Sequence, residues 1–405
     1  MLNQEFKIPA KLKTTSLALL AIGVITLLAG IFLLLMSKDQ MDQTRFWASL
    51  LTNSIFFLLL CLASVFILSA TSLAQAAWIV TFRRIPESIG SVVWVFALIA
   101  GIILLTLVWT DNTNIYAWLQ DGYNPKNSLN ALKNIFLSKP FFTIWTILVL
   151  VLWSWFGTKI YQLSIQQDKE KKGDTKIYWK NFNVSAGFIF VFALTLASTI
   201  PWLWIMSLDS HWFSTMFSWY TFASSFVSGM SLILIWMVYL KKDNQYLDIV
   251  NDEHIHDVGK FMFAFSIFWT YLWFSQFMLI WYANIPEETV YFQIRMNGPY
   301  KIFFWVNIVL NFVAPILILM PRPTKRNYFV VTLVAVIILL GHWIDFYQMV
   351  MPSTVKENWH LGWYEIGIVC GFIGLVIYLV SNKLTKAPLV PQNNPMMKES
   401  IIHIS

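Results

Sequence analysis

His342 and Asp345 stand three residues apart in the run Gly341-His342-Trp343-Ile344-Asp345. Positions i and i+3 share a helix face, so an imidazole and a carboxylate meet there. Gly341 and Gln348 lie on or beside the same stripe. A histidine titrates near neutrality, and a carboxylate that holds it lets it accept a proton and pass it on. The other reading is structural, a pair that satisfies itself or caps a neighbouring helix.

Other residues could extend such a relay. Glu365 follows Trp363 and Tyr364, where it could continue an exit path or sit solvated at an interface. Tyr271, Ser275 and Tyr282 fall on roughly one helix face with Gln276 beside them, as a polar path or as packing glue. Ser218, Thr221, Ser224, Ser225 and Ser228 lie within three turns and read as a small-residue packing face. His254 and His256 belong to the acidic run Asn251–Asp257, read as a solvated loop that could pick up a metal opportunistically. A membrane haem usually needs facing histidines, and His342 alone is expected to be buried.

The elements that must position these groups follow from composition. Of 405 residues, 58% are hydrophobic and 12% charged, half the roughly 25% of a soluble protein. Mean hydropathy is +0.62. Disorder, a fibre and an ordinary soluble enzyme are excluded, and an all-α polytopic membrane protein is implied. Ten stretches reach the roughly 20 residues needed to cross the hydrocarbon core: 15–36, 46–70, 91–110, 141–163, 183–206, 216–240, 260–284, 298–320, 328–350 and 362–382. The second is expected to continue as helix to about Ala77. Strands are excluded at this depth, since unpaired backbone groups in lipid force helices. Residues 1–14 read as an N-terminal segment, 15–382 as one membrane domain and 383–405 as a tail. No cleavage pattern follows the first stretch, which reads as a retained helix. A short amphipathic helix is expected around Ser128–Leu137.

His342 then falls about 4–5 Å outward of the midpoint of its stretch, at 1.5 Å per residue. Of the 21 acidic residues nearly all lie in loops or at helix ends, and Asp345 is the exception. An ionisable pair at that depth is costly and marks a candidate functional site.

With the N-terminus in the cytoplasm, that side collects twenty of the 28 Lys and Arg residues and the other side eight. The positive-inside rule therefore puts both termini in the cytoplasm, and the net charge of +7 needs no nucleic-acid partner. Stretches two to five and six to nine all begin their sets on the outer face, so they could form two parallel four-helix bundles with helices one and ten flanking. Thirteen of the 21 Trp lie in the outer half of this topology, as a thick aromatic belt or as surface for partner subunits or a flat isoprenoid ring. Cys61 and Cys370 sit inside apolar runs, which excludes a disulfide framework, c-type haem attachment and Cys-ligated metal. The chain carries no redox cofactor of its own.

The run Trp204-Ile205-Met206-Ser207-Leu208-Asp209-Ser210-His211-Trp212-Phe213-Ser214-Thr215-Met216 resembles the signature of the F subunit of alternative complex III. That subunit is similar to the polysulfide-reductase (NrfD-like) membrane subunit, with ten helices in two four-helix bundles. The Gly341–Asp345 run and the run Trp281-Tyr282-Ala283-Asn284-Ile285-Pro286-Glu287-Glu288 resemble it too. Leu203 stands where the pattern often has an acidic residue, so a carboxylate role there does not carry over.

The resemblance implies a membrane subunit of a respiratory quinol:electron-carrier oxidoreductase in a bacterial inner membrane. Its partners would be a paralogous membrane subunit, a multihaem cytochrome c and an iron–sulfur subunit, with a terminal oxidase as a further associate. Haem c and iron–sulfur clusters would then belong to partners. This chain would contribute a menaquinol or quinone site, a proton route in electron transport, or both. His342 and Asp345 would take the proton from quinol hydroxyls, and Asp209, His211 and Trp212 would face partners. A non-catalytic scaffold subunit and a secondary transporter stay open as other classes.

Overall fold

The computed structural model describes residues 5–36, 40–120, 131–171, 173–209, 211–243, 246–358 and 361–404. Among these, ten helices are long and apolar enough to cross a membrane, and the protein is an all-α polytopic membrane protein. They are α1 (Ala10–Met36), α2 (Gln40–Leu73), α3 (Arg84–Trp109), α4 (Lys139–Asp168) and α5 (Lys176–Leu208), then α6 (Phe217–Lys242), α7 (Asp252–Ala283), α8 (Lys301–Leu319), α9 (Tyr328–Thr354) and α10 (Trp363–Leu384). Every expected stretch is one of these helices. The ends differ, because polar first turns fall outside any hydropathy window.

Three ends matter. Helix α2 stops at Leu73 rather than near Ala77, because Gln75 turns left-handed (φ 49°) and Ala76 N donates back to Thr71 O. Helix α3 begins at Arg84 instead of 91, with a break at Ser91–Val92. Helix α7 begins at Asp252 instead of 260. Asn251 Oδ1 caps it by accepting from the amides of Glu253 and His254, and His254 Nδ1 accepts from Asn251 N. The run read as a solvated loop is therefore the capped first turn of α7, with His254, His256 and Asp257 buried and Asp252 exposed. His254 Nε2 lies 3.0 Å from Ser400 O, and His403 Nε2 lies 2.6 Å from Asp257 Oδ2. Of the helix expected around Ser128–Leu137, Ala131–Phe136 is helical and 128–130 lie outside the described residues.

Helices α2, α3, α4 and α5 touch in a closed ring, and α6, α7, α8 and α9 close a second ring in the same order. The rings meet along α2 and α6, with α2 also against α9 and α6 against α5. These contacts interchange when two to five are exchanged for six to nine, which is the parallel repeat. Gly229 of α6 approaches α2 so closely that a Cβ would lie 2.6 Å from Ala63 Cβ. Prolines Pro201 and Pro315 follow π turns at Thr195–Thr199 in α5 and Val309–Val313 in α8.

Helix α10 packs on α2, and α1 lies outside it, held almost entirely by α10. At the crossing a Cβ on Gly371 would meet Gly23 Cα at 2.7 Å. Gly371→Leu should therefore cost roughly 1–3 kcal/mol or more of local packing and lift α1 away. Hydrogen exchange over residues 12–34 should rise while the two bundles keep their protection. Unchanged exchange there would mean that something other than the glycine crossing holds α1.

Both termini lie at one end of the bundles. The tail crosses that end, with Arg84 Nε donating to Pro388 O at 3.1 Å and Gln167 Nε2 to Asn393 O at 3.1 Å. It covers a buried charge cluster. Arg83 pairs with Glu87 at 2.7 Å, and Arg84 pairs with Glu87 at 3.0 Å and with Asp168. Glu87 is therefore a buried carboxylate in the first turn of α3, which its place beside Arg83 and Arg84 had disguised as a loop charge.

Candidate functional site

His342 and Asp345 project from α9 into the second bundle, and neither reaches solvent. Asp345 accepts from each of the three other helices of its ring. Tyr220 of α6 donates its hydroxyl to Oδ1, Asn307 Nδ2 of α8 donates to Oδ1 at 2.9 Å, and Trp269 Nε1 of α7 donates to Oδ2 at 2.9 Å. Three donors and no acceptor suit a carboxylate, which can only accept. Asn311 Nδ2 donates in turn to Asn307 Oδ1 at 2.5 Å. Gly341 makes room for Asn311, since a Cβ there would lie 2.2 Å from Asn311 Oδ1.

The His342 ring is held differently. Nδ1 lies 2.9 Å from Ser224 Oγ of α6 and 3.7 Å from Asp345 Oδ2, so serine and not aspartate makes the direct hydrogen bond. Trp269 packs edge-on to the ring at 5.3 Å. Nε2 is buried with no partner. The sixth-helix serines expected as packing include this one ring contact. Thr221, Ser225 and Ser228 bond back to their own helix, at carbonyls four residues earlier.

On the side of Asp345 toward the ends opposite the termini, a small cavity of about 10 Å³ is bounded by Tyr220, Gln276, Tyr291, Arg295, Asp345 and Gln348, among others. That is about the room one water needs. Arg295 Nη2, Gln276 Oε1 and Gln348 Nε2 are buried polar atoms without partners, and a water there would accept from two and donate to the third. A quinone ring does not fit.

Arg295 belongs to the connecting helix Pro286–Asn297. The positive-inside count treats it as an outer loop charge, yet it is 3% exposed. Its Nε donates to Gln348 O at 3.0 Å and its Nη1 to Tyr291 O at 2.7 Å, and the guanidinium lies 3.4 Å from the Tyr291 ring centre. Burial lowers its pKa from the ordinary value, opposed by Tyr291 and Asp209. Burial also raises the Tyr291 hydroxyl, opposed by Arg295.

Beyond this helix lies an open cavity of about 830 Å³, bordered by Asp209, His211, Asn297, Tyr300 and Glu357 among others. Asp209 and His211 thus line an accessible surface. Trp212 does not: it is 3% exposed and stacks on Tyr291 at 3.9 Å, so its expected partner-facing role is corrected to a packing one.

Gln276 and Gln348 join the site, but Tyr271 and Tyr282 do not. These tyrosines are 62% and 84% exposed on the outside of α7, and Ser275 is half-buried away from the cavity. A path along that face of α7 is therefore replaced by one through Gln276. Glu365 is neither solvated nor part of the array. Its carboxylate takes Arg45 Nε at 2.9 Å and Arg45 Nη2 at 3.1 Å, with Ser49 Oγ at 3.1 Å and Gly362 N at 2.8 Å. Four donors fix it as a clasp between α2 and α10.

The first bundle fills the corresponding space with rings. Trp153 and Trp204 meet at 5.8 Å, their indoles donating to Thr195 and Thr146, and Leu203 beside them is fully buried. Its half away from the termini has no buried acid among the described residues. Sequence reading missed Tyr220, Trp269, Asn307 and Arg295. The available signals were Asn307 and Asn311 four apart in an apolar run, and Tyr291 and Arg295 at the same spacing. In comparison with known proteins, no family model matches the chain and no curated protein matches it.

Proposed function

We propose that this chain is a proton-handling membrane subunit of a respiratory quinol:electron-carrier oxidoreductase of the alternative complex III kind. In this reading it sits in a bacterial inner membrane with both termini in the cytoplasm. Quinol, haem c and iron–sulfur clusters are handled by partner subunits. The observation that carries the reading is the buried array His342, Asp345, Tyr220 and Arg295, which ends one helix away from an open vestibule holding Asp209 and His211.

The chemistry asked of these residues is limited. Asp345 takes up a proton, and Tyr220, both donor and acceptor, turns to accept from it and releases its own proton toward the cavity. A water between Tyr220, Gln276 and Gln348 carries that proton to the connecting helix. His342 stands behind Asp345 as the next acceptor, with Nε2 available. The lack of room for a ring beside Asp345 favours a proton route over a quinone site.

The direct test is affinity purification of the tagged chain from its native membrane. Co-purifying subunits with a c-type haem spectrum, and quinol oxidation by the assembly, are expected. A chain that purifies without haem subunits, and that moves a solute when reconstituted alone, would replace the reading with a transporter.

A further inference from the structure

A large apolar hollow lies apart from the array. It is a groove of about 490 Å³ walled by α1, α2, α6, α9 and α10, with Leu12, Phe57, Leu232, Tyr239, Leu340 and Val369 among its lining. Its lining runs from Leu12 and Tyr239 near the termini to Leu361 and Ile366 at the opposite end, so the groove extends over most of the depth of the bundle. Nearly every wall is hydrocarbon or aromatic, so the occupant must present hydrocarbon there.

The end nearest the termini is different. Phe6 is buried against Tyr246 at 5.5 Å, and Lys7 N donates to the Tyr246 hydroxyl at 3.4 Å. The N-terminal segment is thereby strapped across the foot of α6 before α1 begins at Ala10. Leu12 lines the groove, and its neighbours Lys11 and Lys13 are both exposed, as is Lys7. Tyr239 lines it from α6, and Lys241 and Lys242 follow. Among the described residues Glu5, Asp248 and Asp252 are the exposed acids nearby in the sequence, fewer than the lysines.

A hydrocarbon groove with a basic strap beside one end matches one class of molecule. We propose that it holds an acyl chain of an anionic phospholipid, whose headgroup phosphate rests on Lys11 and Lys13. The charge at the mouth selects this lipid over a neutral one, because each lysine near an anionic headgroup adds about fivefold in affinity. An isoprenoid quinone would fill the slot equally well but would leave the lysines without an anion. The assignment does not depend on the proton route.

Native mass spectrometry of the full chain in detergent tests it, with phosphatidylglycerol and phosphatidylcholine of matched acyl chains as probes. One phosphatidylglycerol should be retained in preference to phosphatidylcholine. Lys11→Ser with Lys13→Ser should weaken phosphatidylglycerol about 25-fold and leave phosphatidylcholine unchanged. Val369→Trp, which fills the groove, should weaken both lipids at least tenfold. The lysines are exposed, so the double variant reads the charge even where the tryptophan variant fails to fold. Equal retention of the two lipids, indifference to the lysines, or displacement of phosphatidylglycerol by an isoprenoid naphthoquinone would each overturn the assignment.

Discussion

In the proposed complex, Asp345→Asn should leave assembly intact and slow turnover-linked proton release by about a hundredfold, the lower range for a lost acid–base group. Three donors surround this carboxylate, so an amide is not silently accommodated. Its NH2 cannot face the Trp269 indole, which only donates. It can take the Oδ1 side, where the Tyr220 hydroxyl can turn and the Asn307 amide can flip to accept. The rearrangement costs on the order of one hydrogen bond, about 1 kcal/mol, which a folded bundle tolerates. Tyr220→Phe separates the roles further, because it keeps both other donors and removes only the group that turns. About a tenfold slowing with normal assembly is expected there. Wild-type proton release in Asp345→Asn, measured in proteoliposomes of the assembled complex, would sink the relay and leave Asp345 as a polar clasp for four helices.

The ten helices were legible because hydrocarbon imposes length and hydropathy together, and both are local properties of the chain. The parallel repeat was legible only as two sets of four helices that begin on the same face. The ring closures that realise it are contacts between distant helices. At the site, His342 and Asp345 stood out as an i, i+3 pair in an apolar run. Their direct coupling did not follow from that spacing: the ring nitrogen sits 3.7 Å from the carboxylate and takes Ser224 instead. Glu365 illustrates the general difficulty, since its partner Arg45 lies 320 residues away. Neither charge alone reveals that the other removes it from water. Glu87 was hidden because charge near two arginines reads as loop, and the helix break at Ser91–Val92 placed that turn inside the span.

The two rings share a plan and differ in content. In the first, indoles and phenyl rings occupy the half away from the termini. In the second, a carboxylate, an imidazole, four carboxamides and a guanidinium occupy it. Burying ionisable groups in lipid is expensive, and the first ring closes its half away from the termini without them, keeping Arg83, Arg84 and Glu87 at the other end under the tail. Packing alone therefore does not explain the second ring's contents, and a use for the charge is the simpler account.

Arg295 carries the second large expected effect. Its connecting helix forms the wall between the Asp345 cavity and the open vestibule. A fixed positive charge in such a wall raises the energy of a proton crossing in either direction, as pore arginines do. At several ångströms and an effective dielectric of about 20, the barrier is roughly 3 kcal/mol, or about a hundredfold in rate. Arg295→Met should therefore raise passive proton leak through proteoliposomes and lower the protons released per quinol, while quinol turnover itself persists. The same change also loses two charge-assisted hydrogen bonds and the contact with Tyr291, so a looser connecting helix could leak for a mechanical reason. Arg295→Lys distinguishes the two. It keeps the charge and loses the planar fork that reaches both carbonyls, so a charge barrier survives in it and a mechanical plug does not. Low leak in Arg295→Lys beside high leak in Arg295→Met would assign the barrier to charge. Equal leak in both would show that Arg295 holds the wall together and gates nothing.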